Sequence, residues 1–356
     1  MAVLTTQDAG RVGPAAGTAV CVWLWCVAAL VFAMVVVGGA TRLTDSGLSI
    51  TEWQPILGAI PPLSDADWHD AFEKYKQIPE YSIVNAGIPL SEFKAIYWWE
   101  WTHRFLGRFI GVAFAIPYLV FLLAGKIRGR FAAKLLGVFA LGGLQGAIGW
   151  YMVMSGLVDR IDVSQYRLAL HLLTAFAILA LLVWLALDAG GRDDRVRLQT
   201  VSRGEWWFAF ALFLLVFVQS GLGALVAGLK AGYAFNTWPL MDGAVIPEGF
   251  GELSPWYLNL FENIPTVQFD HRMVAYLLVA LAIVHLVQLI RSADDERLVG
   301  TAGLLVGGLL LQMGIGIYTV ISAVPLHLGL AHQAGAAICV GLAALHLHAM
   351  TGARDR

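Results

Sequence analysis

Eight apolar stretches, each about as long as a membrane-spanning helix, dominate this sequence. They cover roughly residues 18–40, 104–124, 135–155, 168–188, 206–228, 271–290, 301–323 and 328–350. A helix needs about 20 apolar residues to cross the hydrocarbon core of a bilayer, and backbone groups in lipid must find hydrogen-bond partners internally. The stretches lack the alternation of apolar and polar residues that a barrel strand requires. The sequence therefore predicts an all-α integral membrane protein with eight transmembrane helices.

The composition is that of a chain largely withdrawn from water. Charged residues make up 13% of the sequence and hydrophobic residues 58%, whereas a soluble domain carries about a quarter charged residues. The formal net charge of −2 offers no basic surface for phosphates, so we expect membrane lipid and no nucleic acid as a partner. Cys21, Cys26 and Cys339 all lie in apolar stretches, which predicts neither a loop disulfide nor a thiolate metal site.

Lysine and arginine are concentrated in the connections after the second, fourth and sixth stretches. These residues are Lys126, Arg128, Arg130, Lys134, Arg192, Arg195, Arg197, Arg203, Arg291 and Arg297. Short loops rich in positive charge remain in the cytoplasm. Both termini are therefore expected to be cytoplasmic, and the long connections at about 41–100 and 229–269 extracytoplasmic.

The two halves of the chain resemble each other. Glu100-Trp-Thr-His103-Arg104 corresponds to Gln268-Phe-Asp-His271-Arg272, and Leu168-Ala-Leu-His171 to Gly329-Leu-Ala-His332. Leu144-Gln145 and Gly149 recur as Leu311-Gln312 and Gly316. The first long loop recurs in the second, where Gly47, Trp53, Gly58 and Pro62 match Gly232, Trp238, Gly243 and Pro247 at one constant offset.

Four helices per half give the halves parallel topology, that is, two pseudo-symmetric four-helix bundles. We expect a tail at 1–17, an N-terminal half at 18–190 and a C-terminal half at 206–350. A cytoplasmic linker at 191–205 is expected between the halves, and a short tail at 351–356.

Four of the nine histidines occupy equivalent positions in the two halves, His103 with His271 and His171 with His332. Ionisable residues at membrane depth usually face the interior of the bundle and serve a function. Two imidazoles on neighbouring helices can take both axial positions on a haem iron. This pattern predicts two haem sites near the extracytoplasmic surface, although a single buried histidine is more often a hydrogen-bonded structural residue.

Two further histidines, His285 and His346, follow the proposed ligands His271 and His332 at identical spacing. This spacing is close to four helical turns, so each pair lies on one face. One interpretation is a second, inner haem in the C-terminal half, and the other is contact with interfacial water or lipid headgroups. His348 is expected to reach the cytoplasmic interface.

Charged residues accompany the histidines. Arg104 and Arg272 follow proposed ligands, Arg42 ends the first stretch and Arg167 precedes the fourth. Guanidinium groups bind carboxylates bidentately, so these arginines are candidates for anchoring haem propionates, with plain location at the interface as the alternative.

Glu100 lies one helical turn before His103, on the same face. The second half has Gln268 at this position, which indicates different roles for the two sites. A carboxylate here is suited to relaying protons, stabilising a carbocation-like intermediate or positioning water. The alternative is a capping carboxylate at a helix N-terminus.

These motifs, together with Arg42-Leu-Thr-Asp-Ser-Gly-Leu-Ser and Asn236-Thr-Trp-Pro-Leu-Met-Asp242-Gly, resemble haem A synthases over about residues 20–350. The resemblance implies a multi-pass enzyme of the bacterial cytoplasmic (inner) membrane that oxidises a methyl group of haem O to a formyl group through successive hydroxylations. The product serves cytochrome c oxidase, so haem O synthase and cytochrome oxidase assembly factors are implied partners.

The resemblance also implies site residues. His271 and His332 would ligate a haem b cofactor, His103 and His171 the substrate haem O, and Glu100 would assist the chemistry. Some members carry a cysteine pair in the first external loop, whereas this chain resembles the cysteine-poor branch that includes mitochondrial forms.

Two other functions remain open from the residues alone. One is a b-type cytochrome that carries electrons from quinol without modifying haem, which the spacing of His271 to His285 and of His332 to His346 favours. The other is a transporter that uses the histidines as proton or metal sites. A transporter is expected to have helices unwound near the midplane, and the sequence shows no sign of them.

Overall fold

The computed structural model describes residues 14–54, 57–157, 161–191, 201–293 and 295–354. Eight helices in this part of the chain are long and apolar enough to cross a membrane, as the sequence predicts. They are α1 (Pro14–Leu43), α4 (Leu90–Leu123), α5 (Gly129–Met154), α6 (Gln165–Ala189), α7 (Arg203–Gly228), α9 (Ile264–Ser292), α10 (Glu296–Ile321) and α11 (Leu326–Arg354). Short helices α2 (Asp65–Tyr75), α3 (Pro79–Ile83) and α8 (Asn259–Glu262) lie in the two long connections.

Several helix boundaries differ from the predicted ones. Helix α4 begins at Leu90, not at residue 104, and its 34 residues span roughly 50 Å. The hydrocarbon core is only about 30 Å thick, so the polar N-terminal part of α4 extends beyond it. Helix α11 continues to Arg354. Most of the predicted tails and linker, residues 1–13, 192–200 and 355–356, lies outside the described residues.

The helices of each half pack in a closed ring. In the N-terminal half α1 contacts α4, α4 contacts α5, α5 contacts α6, and α6 returns to α1. In the C-terminal half α7, α9, α10 and α11 contact one another in the same order. The halves meet where α6 contacts α7 and α11, and where α1 contacts α11. Phe176 and Leu182 of α6 and Val340 of α11 are fully buried in a hydrophobic cluster to which both halves contribute.

The first long connection forms an outer lobe against the start of α4. Its core consists of buried aromatic side chains, Trp68, Phe72 and Tyr75 from α2 with Phe93 and Tyr97 from α4. A capping box fixes the start of α2, where the Ser64 hydroxyl accepts from the Asp67 amide and the Asp67 carboxylate accepts from the Ser64 amide. The lobe therefore has a defined fold of its own beside Glu100.

Glu80 of α3 is a buried carboxyl in this lobe, 4% exposed, whose Oε1 accepts a hydrogen bond from the Tyr75 hydroxyl at 2.9 Å. Burial raises the pKa of Glu80 to about 7, against the lowering effect of the Tyr75 hydrogen bond and with a further rise from Glu100. The carboxyl of Glu80 has a pKa near 4.5 in the unfolded lobe. Between that pH and about 7, the native lobe therefore keeps a proton on Glu80 that the unfolded lobe releases.

We expect the lobe to lose stability as the pH rises from about 4.5 through 7, because the raised pKa makes ionisation in the native state unfavourable. The loss reaches at most roughly 3 kcal/mol. Hydrogen exchange of α2 and α3 at acidic and at alkaline pH, corrected for intrinsic exchange, measures it. Glu80→Gln keeps the acceptor for Tyr75 and should remove the pH dependence; an equal pH dependence in both proteins would contradict this prediction.

Candidate haem-binding site

Two histidine rings lie close together, edge to face, inside the C-terminal half. His271 lies near the start of α9, and His332 near the start of α11. Asn263 caps α9 by accepting from the Thr266 amide, with Pro265 early in the first turn. The ring centroids of His271 and His332 are 6.3 Å apart and their planes are 85° apart.

This separation fits two axial ligands on one iron. An imidazole nitrogen binds a transition metal at about 2.0 Å, so two such nitrogens on opposite sides lie about 4 Å apart and the ring centroids about 6 Å apart. Four histidines occupy matching positions in the two halves. The two in the C-terminal half, His271 and His332, have this spacing. The residues present therefore fit a haem held by two histidines.

Each of the four histidines packs directly against a glycine of a neighbouring helix. An added Cβ on Gly38 would lie 2.9 Å from Nε2 of His103, and one on Gly149 3.0 Å from Cε1 of His171. In the C-terminal half the corresponding glycines, Gly223 and Gly316, would bring a Cβ to 3.1 Å from His271 and 2.6 Å from His332. Any side chain at these positions would push the ring away, so glycine sets the depth of each imidazole.

Glutamines hold three of the four histidines. Nε2 of Gln145 donates to the main-chain carbonyl of His171 at 2.9 Å, and Gln312 does the same for His332 at 2.7 Å. Gln219 donates to the carbonyl of His271 at 3.0 Å. Sequence reasoning missed these residues as part of the site. Gln145 and Gln312 did recur in the repeat, but nothing in the sequence marked Gln219.

Arg104 is engaged by the loop that follows α1. Its Nη2 donates to the Ile50 carbonyl at 2.7 Å and to Glu100 at 2.6 Å, and its Nη1 donates to the Glu52 carbonyl at 3.0 Å. The guanidinium therefore fixes the first long connection onto α4, a role that the sequence did not suggest.

Arg272 makes the equivalent contacts in the other half. Its Nη2 and Nη1 donate to the carbonyls of Phe235 and Thr237 at 2.8 and 2.9 Å. The alignment of the two long loops pairs Phe235 with Ile50 and Thr237 with Glu52, the two carbonyl acceptors of Arg104. Both arginines thus anchor a loop beside a histidine.

Arg42 and Arg167 differ in their free donors. Arg167 donates to the Tyr151 carbonyl at 2.6 Å and stacks on the Tyr151 ring. Arg42 lies near Asp45 and Asp162, at 3.4 and 3.5 Å. Its Nη2 is the atom that pairs with Asp162, whereas its Nε is buried and finds no hydrogen-bond acceptor among the described residues. Arg42 therefore keeps one buried donor, Nε, outside its two ion pairs.

Glu100 lies well inside α4, which begins at Leu90, so the alternative of a capping carboxylate at a helix N-terminus was wrong. It is 2% exposed. Its Oε2 accepts from the Ser49 hydroxyl and the Ile50 amide, both at 2.7 Å, and its Oε1 accepts from Arg104. The sequence match Gln268 instead donates to the Phe235 carbonyl at 3.1 Å. A carboxylate with three donors is therefore held one turn from His103 and has no counterpart at the matching position.

The histidines at the other end of the C-terminal half do not contact water or lipid. His285 and His346 are each 1% exposed, so that expectation was wrong. Their Nε2 atoms are 3.0 Å apart, closer than the roughly 4 Å that two ligands on one iron require, and Thr301 contacts Nδ1 of His346 at 3.0 Å. This pair forms a hydrogen bond, and its geometry does not fit an inner haem between the rings.

His348 was expected to extend its side chain from the end of its helix to the cytoplasmic interface, and this outward reach was wrong. The side chain is buried, with Nε2 3.0 Å from Oδ1 of Asp188, and its ring packs edge-on against Trp184. A partner on the neighbouring helix α6 satisfies the imidazole, so it has no need to reach solvent.

Comparison with known proteins agrees with these features. Residues 21–344 match the COX15-CtaA family, described as a cytochrome oxidase assembly protein. The Heme A synthase of Chelativorans sp. (strain BNC1) is 51% identical over 332 residues, which cover 93% of this chain and 91% of the relative. The Heme A synthase of Brucella ovis is 50% identical over 331 residues, covering 93% and 91%. That of Parvibaculum lavamentivorans is 50% identical over 327 residues, covering 92% of each chain.

The family match extends over both halves, and its range includes all four histidines, Glu100 and the two loop-anchoring arginines. Because a relative with half of its residues identical is aligned over almost the whole of both chains, the chain belongs to the haem A synthase (COX15-CtaA) family.

Proposed function

We propose that this protein is a haem A synthase, an oxidoreductase that converts the methyl group of haem O to the formyl group of haem A for cytochrome c oxidase. Relatives at about half identity carry that name. The single structural observation that carries the proposal is the His271–His332 pair, with ring centroids 6.3 Å apart. The reaction is inferred from membership of the family, and the haem-binding site is inferred from the ring pair.

The two halves bind different haems. His271 and His332 hold a resident haem b, and His103 and His171 hold the substrate haem O. This division is supported by the asymmetry between the halves, since the carboxylate of Glu100 lies beside His103 while the amide of Gln268 takes the matching place. When bound, the resident haem supplies electron-transfer chemistry.

The side chains around the substrate pair act by position and charge. Glu100, held by Arg104 and two further donors, places negative charge where positive charge develops on the substrate. Arg42 has a buried Nε without an acceptor among the described residues, and this N–H is a candidate donor to a propionate. Three further arginines, Arg104, Arg167 and Arg272, hold the loops and helix ends. Their remaining N–H groups are available to bind haem propionates.

The halves at 18–190 and 206–350 form a parallel repeat of pseudo-symmetric bundles. Equivalent rings of helix contacts and equivalent arginine–loop contacts support it. The positively charged short connections favour cytoplasmic termini, with the haem sites toward the extracytoplasmic side of the bacterial inner membrane. Haem O synthase and oxidase assembly factors are the partners that this reaction requires.

Electron transfer without haem modification loses its best support in the structure. The alternative of a b-type cytochrome relied on an inner haem between His285 and His346, and these rings are in direct hydrogen-bond contact. The duplicated sites with one carboxylate favour the synthase.

Pigment analysis tests the proposal. We expect detergent-purified protein to show a low-spin b-type spectrum, and acid–acetone extraction to release haem B together with haem O and haem A when a haem O synthase is co-expressed. Without a haem O source the extract should contain haem B alone. Haem B alone under both conditions would favour the electron carrier, and no haem at all would overturn the site.

A further inference from the structure

The glutamines that hold the histidines are not distributed equally between the two sites. In the C-terminal pair both histidines have one, Gln219 on His271 and Gln312 on His332. In the N-terminal pair Gln145 holds His171. The alignment that pairs Gly38, packed on His103, with Gly223, packed on His271, pairs Gln219 with Met34. Met34 therefore stands where the fourth glutamine is expected.

In each glutamine the side-chain nitrogen donates a hydrogen bond to the histidine carbonyl, whereas the side-chain oxygen has no donor among the described residues. In Gln219 and Gln312 the amide Nε2 bonds the histidine carbonyl and also lies 3.0 Å from Nδ1 of His271 and 3.1 Å from Nδ1 of His332. The Oε1 atoms of Gln145, Gln219 and Gln312 are buried and have no hydrogen-bond partner in the described part of the chain. A buried amide oxygen normally has a donor.

Iron ligation supplies the missing donor. An imidazole that binds metal through Nε2 carries its proton on Nδ1 and usually donates it to a nearby oxygen, which fixes the ring and strengthens it as a ligand. A half-turn of the Gln219 amide puts Oε1 where Nε2 now lies, 3.0 Å from Nδ1 of His271, in place of the present Nε2 bond to the His271 carbonyl. The same holds for Gln312 and His332.

Met34 cannot perform this role beside His103. Its side chain reaches α4, where its Cε would lie 3.2 Å from a Cβ placed on Gly107, one turn after His103. A thioether has no N–H and is a weak acceptor. The ring is also turned differently: the atom nearest its glycine is Nε2 in His103 and Cε1 in the three other histidines.

We propose that Gln219 and Gln312 are positioning residues that lock the axial histidines of the C-terminal haem, and that Met34 leaves His103 unlocked so that haem in the N-terminal site exchanges. The proposal rests on the assignment of the resident and substrate sites given above. A cofactor site has to retain its haem, whereas a substrate site has to admit one haem and release another, and one loosely held axial ligand provides for this.

Haem transfer from the purified, haem-loaded protein to the scavenger apomyoglobin tests the proposal. The wild type should lose haem in a fast phase from the N-terminal site and a slow phase from the C-terminal site. We expect Met34→Gln to slow the fast phase about tenfold, and Gln219→Met to accelerate the slow phase by a similar factor. Gln219→Met should also raise the midpoint potential of the slowly released haem, because its ligand loses a hydrogen bond.

Met34→Leu is the matched control, since it keeps the volume but adds no amide, and it should leave the fast phase unchanged. If Met34→Leu slows haem loss as much as Met34→Gln, or if Met34→Gln changes nothing, the proposal is overturned. Met34→Gln predicts a gain of retention, so a folding defect cannot imitate the expected result. Haem loss is measured without turnover. A protein that binds two haems but makes no haem A would therefore refute the proposed function, while the effects of Met34→Gln and Gln219→Met on haem loss would still test the locking of the histidines.

Discussion

His271→Ala should remove the resident haem. The imidazole is one of two rings placed 6.3 Å apart, and alanine leaves a cavity with no ligand for the iron. Because even indirect changes to a metal ligand cost about 10- to 100-fold in affinity, we expect at least about a tenfold loss of haem B from protein purified without a haem O source. Spectra of the reduced protein and the extracted haem content measure the loss.

Two further variants make the result specific. His69→Ala alters an exposed histidine in the outer lobe and should leave the haem content unchanged. His271→Gly with added imidazole should recover part of the spectrum, because the free ligand occupies the space of the missing ring. Full haem occupancy in His271→Ala with an unchanged spectrum would show that the ligand assignment is wrong.

Glu100→Gln should keep bound haem but stop or stall haem A formation. The amide fits, since Gln268 occupies the matching position in the other half, and the charge opposite Arg104 disappears. Proton transfer by a positioned side chain or fixed opposing charge contributes about 10²-fold or more to a reaction rate. The ratio of haem A to haem O, extracted from membranes that also contain a haem O synthase, should fall by about that factor.

The control for Glu100→Gln separates chemistry from loop anchoring. Ser49→Ala removes one hydrogen bond to the same carboxylate, 2.7 Å long, and leaves the charge in place. If Glu100 only anchors the loop, the two variants will reduce haem A to a similar extent. If the charge matters, Ser49→Ala will have a much smaller effect. Unimpaired haem A formation in Glu100→Gln would remove Glu100 from the mechanism.

Much of the membrane architecture could be predicted because it is a local property of the sequence. A run of about 20 apolar residues has to cross the bilayer as a helix, since lipid offers its backbone no hydrogen-bond partners. The duplicated histidines could be singled out for a similar reason, because repetition at a fixed separation is visible without coordinates. The start of α4 could not be predicted, because its first turns at Leu90 are polar and pack in the outer lobe instead of in lipid.

The surroundings of the histidines depend on contacts between residues far apart in the chain. Arg104 bonds the distant carbonyl of Ile50, and Gln219 of α7 bonds His271 of α9. No periodicity or motif marks such pairs. The distance between His285 and His346 also depends on how two helices cross, and it changed the interpretation from a second haem to a hydrogen bond.

By itself the sequence determined the eight spans, the duplicated histidines and the family, because apolar length and repeated motifs are written along the chain. Only the tertiary structure decided which polar groups meet: the ring pair that fits one iron, the arginines that hold the loops, and the glutamines behind three histidines. The physical reason is that hydrogen bonds and metal ligation act over about 3 Å or less. Only helix packing brings residues from opposite ends of a half within that range.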